Sequence, residues 1–98
     1  MPDEERIRSI AREVATATLG RANVDHVISK EIVDTEGNDA LQVMVVLTPG
    51  SSDTLSGAAL LDTMVKLHER LREEGETRFP FVRYADKKEL EESGAAQP

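Results

Sequence analysis

The sequence predicts an α+β fold, a two-layer sandwich in the order α-β-β-α-β. Three observations carry that expectation. Residues 3–19 and 55–74 repeat apolar side chains at helical spacing. Residues 24–34, 40–48 and 78–85 are rich in β-branched or aromatic side chains. Turn residues separate each of these segments from the next. Two helices on one face of a three-stranded mixed or antiparallel sheet satisfy the pattern, with a short C-terminal helix as an option. All 98 residues are read as one domain, with an ordered core over 3–92 and a frayed tail over 93–98.

Ile7, Ile10, Ala11, Val14, Ala17 and Thr18 define the apolar face of the first helix. Pro2, Asp3 and Glu4 suit its positive end, and Gly20 suits its C-terminal stop. In VDHVISKEIVD, Val24, His26, Ile28, Lys30 and Ile32 share one parity, while Val27 and Val33 fall on the other. Alternation this imperfect predicts a bulge or twist. TEGND, residues 35–39, is a hairpin turn. In ALQVMVVLT, Leu41, Val43, Val45 and Leu47 form one face, and Met44 and Val46 make the other apolar as well. That strand is expected at the centre of the sheet. TPGSSDT follows as a loop, with Ser51, Ser52, Asp53 and Thr54 as helix caps.

The second helix carries Leu60, Met64, Leu67 and Leu71, with an adjacent row of Leu61, Val65 and His68. Its apolar stripe is therefore expected to be wide. Pro80 in RFPFVRYA assigns the last strand to an edge or a strand start. Asp86 with Glu89 forms a capping-box pattern before residues 87–92.

Composition excludes several function classes. The chain has no cysteine, which removes disulfides, zinc–cysteine sites, iron–sulfur clusters and a cysteine nucleophile. No apolar run approaches the ~20 residues of a membrane span. MPDEERIR lacks the apolar core of a signal peptide, so a cytoplasmic location without membrane contact is expected. Net charge is -7, and both halves of the chain are acidic. A phosphate backbone is thus not the expected main partner. The acidity suits solubility or a basic protein partner. The candidate nucleic-acid patch is Arg6, Arg12, Arg21 and Arg83, should the fold bring them together.

The element order across residues 3–86 resembles that of ribosome-assembly factors of the KH-like kind. The resemblance is topological and implies an RNA- or ribosome-associated role. The glycine pair of the nucleotide-clamping KH loop has no counterpart here, and helix 55–74 lacks the interior glycine kink.

Among candidate sites, DTEGND fails the calcium-loop pattern. Counted from Asp34, its sixth and twelfth positions hold Asp39 and Val45 rather than glycine and glutamate. His26 and Asp25 are strand neighbours, expected to point to opposite faces. Neither histidine has metal-ligand spacing, and no metal or cofactor is expected. His68 is read as a partly buried structural side chain. Gly50, Ser51, Ser52 and Thr54, before a helix, are the candidate anion-binding loop, although Asp53 would repel an anion. Ser51, Ser52 and Ser56 lack a nearby base, which points away from an enzyme. Arg78, Arg83, Tyr84 and the two phenylalanines form the aromatic–basic cluster.

An uncovered apolar sheet face predicts association. The expected interface comprises Val27, Val33, Met44 and Val46, extended along an edge by Phe79, Phe81 and Tyr84. The function these features suggest is non-catalytic protein–protein contact, with the chain a homodimer. A small ligand site or enzyme at a subunit interface is the remaining alternative.

Overall fold

The computed structural model describes residues 2–95. Its elements run α1 (Glu4–Leu19), β1 (Val24–Val33), β2 (Asp39–Leu47), α2 (Gly57–Glu73), β3 (Phe79–Asp86) and α3 (Lys87–Ala95). Short 3-10 turns at Arg21–Asn23 and Ser51–Asp53 precede β1 and α2. The fold is α+β, with a mixed sheet in the order β1-β2-β3. β1 pairs antiparallel with β2, and β2 pairs parallel with β3. The doubly apolar strand is therefore central, as its sequence predicts. α2 is the crossover that a parallel pair requires.

Asp3 caps α1 by accepting the Arg6 N–H at 2.8 Å. Gly20 ends the helix at φ 97°, a conformation open to glycine. The buried face of α1 is Ile7, Ile10, Ala11, Val14, Ala15 and Leu19. Ala17 is exposed, contrary to the expected stripe, because Ala15 and Leu19 take the inward positions. In the hairpin, one Asp34 carboxylate oxygen accepts the N–H groups of Glu36 and Asn38, both at 2.9 Å. Gly37 turns the chain at φ 84°.

Sheet parity follows from register and burial. Val27, Val43, Val45 and Val82 lie on the side packed against the helices. Ile28, Met44, Phe81 and Arg83 lie on the other side. The anticipated bulge lies between Val24 and His26. It lets Val24 and Val27 both enter the core although they are three residues apart. Val27 is therefore a core residue and not part of an open-face interface. Tyr84 is corrected in the same way. It packs against the core, and its hydroxyl donates to the Leu60 carbonyl at 2.7 Å. Burial raises its pKa.

α2 buries Thr63, Leu67 and Leu71. Leu61 and Val65 are exposed, so the wide stripe is narrower than expected. The helix rests on α1, and no strand lies beyond β3 to receive its outer flank. The hydroxyls of Thr18 and Thr63 pair between the two helices, a contact that apolar periodicity does not register. Ser56 caps α2 by accepting the Ala59 N–H, in place of the four residues expected from the loop. Ser51 pairs instead with Thr48 and Asn23, Ser52 with Asp86 and Thr54 with the Ser51 carbonyl. α3 extends to Ala95 instead of stopping at 92. Residues 96–98 of the expected tail lie outside the described residues.

Candidate functional site

Both helices α1 and α2 cover the same face, which leaves the opposite face as the broad candidate surface. Register orders it in rows. His26, Val46 and Ala85 lie at one end. Ile28, Met44 and Arg83 come next, followed by Lys30, Gln42 and Phe81. Ile32, Ala40 and Phe79 close the other end. The charged side chains at these outward strand positions are Lys30 and Arg83, and no carboxylate is among them. In a chain of net charge -7, the two formal charges at these strand positions are both positive.

The first end is polar. His26 Nδ1 lies 2.5 Å from one Asp25 oxygen, and Lys87 Nζ lies 3.3 Å from the other. The expectation that Asp25 and His26 point apart is thus wrong. The bulge suspends alternation at that position and brings the two side chains together. The His26 hydrogen bond chiefly lowers the Asp25 pKa, and Lys87 adds to the effect against the penalty of desolvation. The irregular parity of VDHV was the signal in the sequence. Val46 is 0% exposed beside this cluster, so it offers no surface to a partner.

The second end is aromatic. Phe79 is 54% exposed and Phe81 41% exposed. Their rings meet edge to face at 4.7 Å, and His68 of α2 meets Phe79 edge-on at 5.1 Å. His68 is half-buried, as its place beside the apolar stripe suggests. Met44 is half-buried near the middle of the face, whereas Val33, exposed at the far tip of β1, has the parity of Val27 and does not belong to the open face. A groove of about 380 Å³ opens beside Phe79 and Phe81, bounded by Ile32 and Gln42 on the open face and by Met64 and His68 of α2.

The TPGSSDT loop does hold an anion, and that anion is internal. Asp86 accepts the N–H groups of Gly50 and Ser52 at 3.1 Å each and the Ser52 hydroxyl at 2.8 Å. It also accepts the Lys88 N–H at 2.9 Å, which caps α3. Burial opposes ionisation of Asp86, but these donors outweigh it and lower its pKa to about 2. Ser51 is buried and donates to Asn23, while Thr54 donates to the Ser51 carbonyl. The carboxylate from β3 takes the positions an external anion would need.

Arg6, Arg12, Arg21 and Arg83 do not converge. Arg6 is paired with Glu74 at 2.9 Å. Arg21 lies beyond the opposite end of α1, roughly 22 Å away at the α-helical rise. Arg83 is on the face remote from the helices. Arg78 is structural, since it binds the buried Glu76 through Nε and Nη2 at 2.9 and 2.8 Å. Its Nη1 reaches Glu31 at 3.0 Å. Among the described residues, no three histidine or carboxylate side chains are grouped to hold a metal ion. No helix among them is long and apolar enough to cross a membrane.

No family model, curated protein or solved structure matches the chain.

Proposed function

We propose that this protein acts by protein–protein contact through the aromatic end of its uncovered sheet face, and that the contact joins two copies of the chain. The observation that supports this reading is the exposure of Phe79 and Phe81 together at the end of the face away from the Asp25 carboxylate. A fully covered aromatic side chain buries ~150–250 Å², so covering the exposed half of each ring adds a hydrophobic gain. Ile28 of β1 is exposed on the same face. Flanking polar residues supply the remainder of the roughly 800 Å² per partner that a stable interface buries. The separation of the arginines removes the compact basic patch on which a nucleic-acid reading depended.

Light scattering over a micromolar concentration series tests the proposal. The expected result is twice the chain mass. Replacing Phe79 and Phe81 together with serine should return the monomer while far-UV circular dichroism stays unchanged. A monomer at every concentration for the unmodified chain overturns the proposal.

A further inference from the structure

We infer that two copies of this chain join edge to edge through β3, antiparallel, to make one continuous sheet of both copies. This rests on the self-association proposed above and names its geometry. The two free edges of the sheet are not equivalent. β1 is bulged beside Asp25 and exposes Lys30 and Glu31 in succession. Bulges and edge charges are devices that discourage pairing with another strand. β3 keeps an uninterrupted register from Phe79 to Asp86, and its proline sits at the second position. Five consecutive residues, Phe81 to Ala85, carry one charge between them.

The groove of about 380 Å³ supplies the space. It reaches from Ile32 and Gln42 on the open face round β3, where Phe81 and Arg83 line it on one side and Pro80 and Val82 on the other. A strand laid along this edge would meet apolar side chains above and below its backbone.

The side-chain sequence of β3 is also complementary to itself. Phe79, Phe81 and Arg83 alternate on one face. An antiparallel pair centred on Phe81 sets Phe79 against the partner's Arg83. A pair centred on Val82 sets Phe81 against the partner's Arg83. Either register brings a guanidinium to an aromatic ring twice, once from each copy. Among the described residues Arg83 has no carboxylate within ion-pair distance. Its charge is therefore available to the partner ring. Each chain carries net charge -7, so overall repulsion opposes the pairing, and added salt should strengthen it.

The absence of cysteine makes the test direct. Single variants Phe81→Cys, Val82→Cys and Ile28→Cys, and a mixture of Val82→Cys with Pro80→Cys, are oxidised mildly in the full chain and resolved on a non-reducing gel. Light scattering on the unmodified chain runs in parallel. Directly opposed residues of an antiparallel pair lie about 4.5–5.5 Å apart at Cα, within disulfide reach. A dimer in which Val82→Cys cross-links with itself, or with Pro80→Cys in a mixture, supports edge pairing, because both positions lie on the helix side of β3 and are out of reach across the open face. A dimer that cross-links at 28 or 81 without either of these means contact across the open face, which overturns this inference and leaves self-association standing. A dimer that cross-links at none of these positions also overturns it. A monomer throughout overturns both. Arg83→Glu, at an exposed position, should weaken the dimer at least tenfold with an unchanged urea midpoint at monomeric concentration. Unaltered affinity would remove the guanidinium–ring contact on which the register depends.

Discussion

Replacing Arg78 with methionine isolates the buried ion pair that closes the turn between α2 and β3. The Glu76 side chain is 0% exposed and the Arg78 side chain 11% exposed. The substitution removes both guanidinium hydrogen bonds to Glu76 and the third to Glu31. Glu76 then keeps the backbone N–H of residue 78, at 2.8 Å. Breaking a buried pair from one side costs about 3–5 kcal/mol. The Glu31 arm adds little, because that carboxylate is 70% exposed. The cluster lies at the periphery, so the expected loss is about 3 kcal/mol, or a Tm lower by about 12–24 °C. Urea denaturation followed by circular dichroism measures it.

The double variant Glu76→Gln/Arg78→Met neutralises the stranded carboxylate and should recover most of the loss. The pH dependence supplies a signature with a definite sign. In the unmodified chain Arg78 holds the Glu76 pKa below its ordinary value against desolvation. That contribution is complete above the ordinary carboxylate range and falls away as pH drops through the lowered value. Without the guanidinium, desolvation is opposed only by the backbone N–H groups of residues 77 and 78, so the pKa rises from its lowered value and the variant loses less stability on acidification. The gap between the two proteins therefore narrows on acidification. A loss below about 1 kcal/mol at pH 7, or a double variant no better than Arg78→Met, would refute the reasoning.

Three further outcomes are expected. Leu67→Ala, at a site 0% exposed, should cost about 2–5 kcal/mol, while Leu61→Ala, at 60% exposure, should stay within about 0.5 kcal/mol in urea melts. Asp86→Asn should be less stable than the unmodified chain at pH 7. The difference should shrink as pH falls from about 4 towards 2, since a carboxylate with pKa lowered to about 2 contributes above that window and loses its contribution within it. A difference independent of pH would assign the effect to shape instead of charge. His26→Ala should move the Asp25 titration, followed by carboxyl NMR, up towards the ordinary value, because the His26 hydrogen bond is its largest depressing influence. An unmoved titration would mean that Lys87 alone sets it.

Strand identity and the central place of β2 were legible because a strand with neighbours on both sides carries a near-continuous apolar run, here Val43 to Leu47. Met44 and Val46 between Val43, Val45 and Leu47 make that point. The bulge was legible as broken alternation, but its consequence was not. Parity rules treat Asp25 and His26 as opposed, and they hold only where the ladder is regular. The exposure of Leu61 and Val65 was hidden for a different reason. Helical periodicity identifies an apolar stripe without saying how much of it has a neighbour to pack against.

By itself the sequence determined the element types, the order α-β-β-α-β and the exclusion of cysteine chemistry. Those follow from local periodicity, turn residues and composition, each read within a few neighbouring positions. The tertiary structure alone decided that β3 pairs in parallel with β2, where the sequence left a mixed or an antiparallel sheet open. It also turned Asp86 back onto the loop at Gly50 and Ser52, and it moved Val27 and Tyr84 into the core while leaving Phe79 and Phe81 outside. These outcomes depend on contacts between residues far apart in the chain, where packing geometry selects among arrangements that local pattern leaves equal.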